Sequence, residues 1–294
     1  MSVKQPTSEF SGDDEDLTPR IRAHYNVLTP LYLLLWGEHL HHGYWENDAD
    51  KTPPKQAQER VLEELWEMAG RPTNVRLLDI GCGFAGPMLW LARHLKIRRA
   101  LGITISPLQQ VGGQARVARA GLADRVRIAL ADAGKTWPVD EGDFDLVWCF
   151  EMTEHLKDRA FWAREAYRAL EPGGMLCLAV WVASERDDPE SARLRATIAR
   201  DMLCYPFSTE AEFRGWLLDA GFEAESLQVR RLASHIARSW DYGIEIGKRG
   251  WIGRLAQILG PDTLSFVGSF ANLREAFGHG AMEYCFFVAK KPLG

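Results

Sequence analysis

A glycine-rich loop that directly follows an apolar strand pattern constrains this chain more than any other feature. Residues 75–80 are typical of a buried β-strand, and Gly81-Cys82-Gly83 follows before a helical pattern begins near Gly86. Glycines at 81 and 83 allow a tight turn and a close approach between backbone and ligand, because glycine has no Cβ. An α/β sheet forms its nucleotide-type pocket in this way, at the carboxyl end of its first strand.

Two residues near this loop decide which kind of cofactor fits it. The spacing Gly81-x-Gly83-x-x-Gly86 alone matches a dinucleotide-binding fingerprint. Asp79 precedes the first glycine, where its carboxylate would repel a pyrophosphate and attract a cation. Thr104 ends the next predicted strand, where a dinucleotide site has an acidic residue, although a hydroxyl can still bond to a ribose. The pattern therefore favours a cationic ligand over a dinucleotide.

Several motifs along the chain point to one family. Asp79-x-Gly81-x-Gly83-x-Ala85-Gly86 resembles motif I of the class I S-adenosylmethionine (SAM) methyltransferases, whose cofactor has a sulfonium cation and no phosphates. Residues 102–109 resemble the second motif of small-molecule C-methyltransferases, including the tocopherol and cyclopropane-fatty-acid groups, which also have Thr in place of the acid. Residues 36–45 resemble the amino-terminal signature of γ-tocopherol methyltransferases. Motifs III, IV and VI correspond to residues 131–133, 151–155 and 170–174.

This resemblance implies a SAM site formed by several loops. Asp132 would accept a hydrogen bond from the adenine amine, and the helical segment with Tyr25 and Trp36 would fold over the cofactor. Aromatic faces suit a sulfonium, although both aromatic residues also fit a packing role. The predicted cofactor-binding residues are Tyr25, Trp36, Asp79, Gly81, Cys82, Gly83, Thr104, Ile105, Gln109, Asp132, Ala133 and Glu151.

Histidine and glutamate side chains near the same edge of the sheet are candidates for a general base. His41 and His42 precede a predicted turn, and His155 follows the fourth strand, where this fold carries its catalytic groups. Glu38 and Glu154 also qualify, and each of these residues taken singly also fits a structural role. The predicted catalytic residues are His155, Glu151, His42, His41 and Tyr25.

Charge, cysteine content and hydropathy restrict the compartment and the partners. The net charge is −5, so the broad positive surface of a nucleic-acid-binding protein is missing. The five cysteines are scattered and odd in number, which argues against a disulfide framework or a zinc site and indicates a reduced, cytoplasmic setting. The first residues do not resemble a signal peptide, and the longest apolar run, residues 31–36, is too short to span a bilayer. We expect a hydrophobic small-molecule substrate, and the oligomeric state stays open.

Alternating strand and helix patterns predict a doubly wound, Rossmann-like α/β sheet of seven strands with a helical cap and lid. The predicted strands are residues 75–80, 98–104, 126–131, 144–150, 175–181, 222–230 and 283–289. The resemblance implies that the last strand is antiparallel. The predicted segments are a disordered tail at 1–18, a helical cap at 19–70, a SAM-binding core at 71–182, and the rest of the core at 183–294 with a lid at about 232–279.

The tocopherol-like signature favours methylation of carbon in a small apolar natural product, either aromatic or isoprenoid. The alternatives are an O- or N-methyltransferase of a polyketide, glycoside or alkaloid, a methyltransferase-fold cyclase, and a SAM-binding module without activity. The sequence requires no metal, although carboxylates at Glu38 and Glu151 would suit Mg²⁺ if the acceptor were a diphosphate. Four basic residues could meet such an anion or could lie in solvent as surface charges: Arg230, Arg231, His235 and Arg238.

Overall fold

A computed structural model describes residues 15–294, where seven strands form one mixed sheet. The strand order is β3-β2-β1-β4-β5-β7-β6, and β7 runs antiparallel to both of its neighbours. The Rossmann-like prediction and the antiparallel last strand are thereby confirmed. The strands are β1 Arg76–Ile80, β2 Arg99–Thr104, β3 Val126–Leu130, β4 Phe144–Phe150, β5 Leu170–Ala183, β6 Gln228–Arg231 and β7 Met282–Lys290.

Helices cover both faces of this sheet, and several begin at side chains that cap them. Ser106, Asp158 and Asp188 each accept a hydrogen bond from a backbone N–H of the first turn, and Thr209 forms a capping box with Glu212. The helices are α1 Thr18–Leu35, α2 Pro54–Met68, α3 Gly86–His94, α4 Pro107–Arg119, α5 Arg159–Ala169, α6 Pro189–Asp201, α7 Glu210–Ala220, α8 Ala233–Ile236, α9 Arg238–Gly247, α10 Gly250–Leu259 and α11 Pro261–His279. None of the helices within residues 15–294 is long and apolar enough to cross a membrane.

Two strands differ from their predicted bounds by more than one residue at an end. A single 3₁₀ turn, Ala224–Ser226, occupies the first part of the predicted strand 222–230, so β6 begins only at Gln228. β5 already begins at Leu170, ahead of the predicted start at residue 175, and within this extension Gly173 has a φ of +79° and the pairing with β4 shifts register. The glycine permits a bulge there, because it accepts a positive φ without a steric clash.

Neighbouring residues in the central strands point to two separate apolar layers. Leu77 and Trp148 pack under the helices on one face, whereas Leu78 and Val147 pack on the other, and all four are fully buried. Parallel strands covered on both faces have this composition. Asp79 is the exception in β1, since it is a carboxyl residue with 1% exposure on a strand that pairs with β2 on one side and β4 on the other.

The amino-terminal residues of the structure belong to the folded chain. Leu17 is fully buried, and its backbone N–H donates to the Tyr205 hydroxyl at 3.0 Å. Residues 1–14 of the predicted tail lie outside the described part of the chain, and the tail at 1–18 stays a prediction. The division into cap, core and lid stays a prediction.

The start of α3 packs directly against the segment that contains the predicted amino-terminal signature. A Cβ at Gly86 would clash with the backbone carbonyl of Glu38. We expect Gly86→Ala to lower the free energy of unfolding by about 2 kcal/mol, because a backbone group cannot move away as a flexible side chain can. Gly215→Ala in α7 is the control and should stabilise by about 0.5–1 kcal/mol, since no heavy atom of the described chain lies near that Cβ. Urea unfolding of both variants measures the difference, and equal stabilities would contradict the close packing.

Candidate active site

Two adjoining cavities lie at the carboxyl edge of the sheet. The first has a volume of about 420 Å³ and is lined by the glycine loop, the end of β2 and the loop after β3. The second, of about 80 Å³, lies between α1, β5, α9 and α11. Both cavities share the walls formed by Tyr25, Leu40, His41, Glu151 and His155. Ligands in the two cavities would therefore meet at these side chains.

The first cavity brings together most of the predicted cofactor-binding residues. Trp36 instead lines the second cavity, and its indole N–H donates to the His41 carbonyl at 3.2 Å. Asp79 lies behind the glycine loop and is not part of either wall. The predicted cofactor-binding residues that line the first cavity are Tyr25, Gly81, Cys82, Gly83, Thr104, Ile105, Gln109, Asp132, Ala133 and Glu151.

The glycine loop has the conformation that the sequence predicts. Gly81 and Gly83 have φ values of +79° and +53°, in the left-handed region that favours glycine. The Gly81 and Cys82 amides both donate to the Ile103 carbonyl at 3.0 Å, which fixes the loop against the end of β2. A Cβ at Gly81 would clash with Met152. Glycine at position 81 is therefore needed both for the left-handed backbone and for the packing of the loop against Met152.

Asp79 is a buried carboxyl group without a counter-charge. Its Oδ2 has no hydrogen-bond partner among residues 15–294, and burial raises its pKa to about 8. A cation held at the glycine loop would lower this pKa again, since an opposite charge favours the ionised form. The orphaned oxygen and the glycine loop together fit a positively charged cofactor.

A hydrogen-bond chain joins the end of β2 to α1. The Thr104 hydroxyl donates to Gln109 Oε1 at 2.8 Å, and the Gln109 amide donates to Thr29 Oγ1 at 3.2 Å. The Ser106 hydroxyl donates to Asn26 Oδ1 at 2.5 Å. The Thr104 hydroxyl proton is thus already engaged, and its oxygen remains as an acceptor. The chain couples the position of α1 to the floor of the first cavity.

His42 and Glu151 form a dyad at the boundary of the cavities. Glu151 Oε2 lies 2.7 Å from His42 Nδ1, and Oε1 accepts from the His42 backbone N–H at 3.0 Å and from the Tyr284 hydroxyl at 2.7 Å. Burial alone would raise the pKa of Glu151, but the adjacent imidazole and these donors bring it below its usual value. Glu151 also has a φ of +50°, a strained conformation of the kind found at functional sites.

This dyad fixes the tautomer of His42. Because Nδ1 faces a carboxylate, the hydrogen-bond pattern assigns the proton to Nδ1 and the lone pair to Nε2. Nε2 is buried and has no partner in the described chain. The ring lies edge-on to Trp240, with centroids 4.2 Å apart. His42 therefore presents an unoccupied proton acceptor inside an aromatic enclosure.

The other predicted catalytic residues have different partners. His41 Nδ1 donates to the His42 carbonyl at 2.8 Å, and burial lowers the pKa of His41 to about 4. His155 Nδ1 donates to the Leu203 carbonyl at 2.9 Å, so its Nε2 accepts from the Tyr25 hydroxyl at 2.9 Å. Burial lowers the pKa of His155 and raises that of Tyr25. The structure thus brings four of the five predicted catalytic residues to the shared wall and places His42 beside them in the second cavity. Among the three predicted histidines, His42 alone is paired with a carboxylate within the described chain.

Several residues around the dyad and the second cavity were missed in the sequence. Tyr284 bonds to Glu151 from β7, and its phenol in a mostly apolar strand was the signal that the sequence offered. The aromatic wall comes from distant segments, and no local pattern relates its members. That wall consists of Tyr32, Trp36, Trp181, Trp240, Phe266 and Phe270.

The basic residues proposed to meet an anion point elsewhere. Arg230 bonds to Glu64 at 2.7 Å, Arg231 bonds to Glu210 at 2.7 Å, and the Arg238 guanidinium donates to the Asp50 carbonyl. Within residues 15–294, no Arg or Lys lines the second cavity, and no group of three metal-ligating side chains occurs. Glu38 pairs with Arg116 at 3.0 Å, so it does not join Glu151 in a metal site.

Comparisons with known proteins agree with this geometry. Residues 78–178 match a family model described as a methyltransferase domain. The chain is 33% identical over 177 residues to the chloroplastic tocopherol O-methyltransferase of Arabidopsis thaliana, covering 57% of this chain and 50% of that relative. The chain thus spans about half the length of this relative. It is 32% identical over 231 residues to the 27-O-demethylrifamycin SV methyltransferase of Amycolatopsis mediterranei, covering 75% of this chain and 79% of that relative.

A solved structure extends the likeness over the whole fold. The crystal structure of the cyclase SpnF superposes with a TM-score of 0.80 at 26% identity and covers 94% of this chain and 97% of its own. The chain belongs to the SAM-dependent methyltransferases, and its cofactor is S-adenosylmethionine.

Proposed function

We propose that this protein transfers the methyl group of SAM to a hydroxyl group of a small, neutral, apolar acceptor bound in the second cavity. The observation that carries the proposal is the His42–Glu151 dyad: the His42 side chain lines the second cavity, and its Nε2 has no partner within the described chain. SAM, when bound, supplies the methyl group as a sulfonium. The name of the Amycolatopsis relative contains an O-demethyl term, which supports oxygen as the methylated atom.

The dyad supplies the acid–base chemistry that an alcohol or phenol acceptor needs. His42 Nε2 accepts the hydroxyl proton, and the Glu151 carboxylate stabilises the imidazolium that results. Tyr284 and the His42 amide hold Glu151 in place through its other oxygen. The enclosure of both groups excludes water and keeps the acceptor close to the methyl donor.

The walls of the second cavity define the acceptor class. Aromatic rings surround it, and the part of the chain from residue 15 onward contributes no cationic side chain there other than histidine. A neutral apolar molecule therefore fits, whereas an anionic diphosphate would be left without a counter-charge.

Carbon methylation, which the sequence favours, remains the second candidate. The second cavity is lined by the indole rings of Trp181 and Trp240 and by the ring of Phe270. Aromatic faces attract cations, so they would stabilise the positive charge that forms on an isoprenoid or aromatic carbon during methylation. The same His42 would then remove the proton from the methylated carbon.

Product analysis decides between these candidates. The purified protein is incubated with ¹³C-methyl SAM and panels of phenols, aliphatic alcohols and isoprenoids, and the label is located by mass spectrometry and NMR. Label in a methoxy group supports the proposal, and label on carbon supports the second candidate. Conversion of an acceptor without formation of S-adenosylhomocysteine would replace both with a cyclase function.

We propose a reduced, cytoplasmic setting and no nucleic-acid partner. All five cysteines are free and buried, and burial raises the thiol pKa of Cys82, Cys149 and Cys177. Buried thiols of this kind resist disulfide formation and metal binding. The acidic net charge of −5 opposes binding to nucleic acid.

A further inference from the structure

We propose that Glu154 keeps its proton in the resting protein and donates a hydrogen bond to a second oxygen atom of the acceptor. This proposal rests on the proposed function, because it assigns a further group to the same acceptor cavity. It also defines the acceptor class more narrowly. The acceptor would carry a carbonyl or ether oxygen in addition to the hydroxyl group that faces His42.

The position of Glu154 is the first support. It lies in the 3₁₀ turn Thr153–His155 directly after β4, is 3% exposed and lines the second cavity. Its Oε1 accepts a hydrogen bond from the Trp181 backbone N–H at 2.8 Å. Its Oε2 is buried, and nothing in residues 15–294 bonds to it. One oxygen is therefore fixed by β5, and the other is left for a ligand.

The surroundings of Glu154 favour the neutral acid. Arg159 is the guanidinium that packs beside it, but its N–H groups donate to the carbonyls of Thr153, Glu154 and Pro206 and to the Ser208 hydroxyl. No cation therefore bonds to the carboxyl group within the described chain. Burial and the nearby charge of Glu151 raise the pKa of Glu154 to about 8.

Glu151 and Glu154 differ in their protonation states. Glu151 accepts from three donors and is ionised, whereas Glu154 accepts from one backbone N–H and holds its proton. Two carboxyl groups whose environments separate their pKa values commonly divide the acid and base roles of a site. Here Glu151 supports the base His42, and Glu154 remains as a hydrogen-bond donor.

Several helices, strands and loops contribute titratable groups near the Glu154 carboxyl group. Glu151 and Arg159 carry charges of opposite sign, and neither forms an ion pair with it. These groups, with the other titratable side chains that line the same cavity, are His24, Tyr25 and Tyr32 of α1, His41 and His42 before α2, Cys149 and Glu151 of the β4 end, His155 beside it, Arg159 of α5, Cys204 after α6, and Tyr284 of β7.

The protonation state is tested without any acceptor. ¹³C NMR of side-chain-labelled glutamate in the full chain is recorded against pH for the wild type and for Glu154→Gln. We expect Glu154→Gln to remove a carboxyl resonance whose midpoint is about three to four pH units above that of an ordinary glutamate. The proposal would be overturned if the resonance that Glu154→Gln removes has, in the wild type, the midpoint of an ordinary glutamate or a lower one. This holds even if the protein methylates its acceptors.

The hydrogen bond is tested with two probes that differ by one oxygen. Binding of meta-acetylbenzyl alcohol and meta-ethylbenzyl alcohol, whose hydroxyl groups do not ionise at either pH, is followed by quenching of the cavity tryptophans. At about pH 6.5 the wild type should bind the ketone about tenfold more tightly, as expected for one good hydrogen bond to a buried group. This preference should disappear at about pH 9, because the ionised carboxylate can no longer donate.

Two variants separate the donor from a structural role. Glu154→Gln should keep the preference for the ketone at both pH values, because its amide N–H donates without titrating. Glu154→Leu should lose the preference at both. Equal binding of the two probes by the wild type, or a preference that Glu154→Leu retains, would overturn the proposal. If the wild type shows the raised NMR midpoint of Glu154 but transfers no methyl group to any acceptor tested, the proposed function is contradicted and the protonation of Glu154 is not.

Discussion

Glu151→Gln should lower kcat about a thousandfold, while the dissociation constant for SAM changes by no more than about threefold. The carboxylate holds the proton of His42 on Nδ1 at 2.7 Å and would stabilise the imidazolium during proton transfer. The neutral amide can do neither, and its N–H₂ group can turn toward Nδ1 and reverse the tautomer. The free Nε2 would then carry a proton and could no longer accept one from the acceptor.

The measurement is the rate of S-adenosylhomocysteine formation at saturating acceptor, with SAM binding followed by calorimetry. Glu245→Gln is the matched control, since within residues 15–294 Glu245 pairs only with Lys248 on the surface, where both side chains are about two-thirds exposed. It should leave kcat unchanged, because exposed ion pairs contribute little. A Glu151→Gln enzyme with a kcat within tenfold of the wild type would remove the dyad from the mechanism.

Gly83→Val should weaken SAM binding at least about a hundredfold, through both its backbone and its side chain. Gly83 has a φ of +53°, and its Cβ would lie 3.7 Å from Leu40 Cδ1. Both residues line the first cavity, so the branched methyl groups of valine would occupy cofactor space. Adding SAM should then no longer raise the melting temperature, since stabilisation by a ligand follows its affinity.

Gly121→Val separates the effect of the left-handed backbone conformation from the effect of the added side chain in the cavity. Gly121 ends α4 with a φ of +71°, and no atom of the described chain lies within 4 Å of its Cβ. Both variants should lose about 1–2 kcal/mol of stability from the left-handed backbone conformation. Only Gly83→Val should lose affinity for SAM in calorimetry. Equal dissociation constants for the two variants would refute the assignment of the glycine loop to the cofactor.

The first cavity was largely predictable because its chemistry is local. Gly81 and Gly83 follow the end of a strand, and their positive φ values arise from the turn that this position imposes. Thr104, Ile105 and Asp132 follow the next two strands, and parallel strands bring their carboxyl ends to one edge. Sequence patterns of this kind depend on a few consecutive residues.

The roles of individual residues at the second cavity were not predictable in the same way. Trp36 was predicted to bind the cofactor, and the structure places it in the wall of the second cavity, because α1 leads past the first cavity toward α9 and α11. Tyr284 reaches Glu151 across 133 positions of sequence, since β7 inserts beside β5 with antiparallel register. Such contacts depend on strand order and not on any pattern within a segment.

The sequence by itself determined the sheet, the glycine loop and the cofactor, because strand periodicity, turn chemistry and motif spacing are properties of short stretches. The sequence also identified His41, His42, Glu151 and His155 as candidates for the general base. Only the tertiary structure decided that His42 pairs with Glu151. Protonation depends on burial and on the donors that reach each carboxyl or imidazole group, and these donors come from distant segments that the fold brings together.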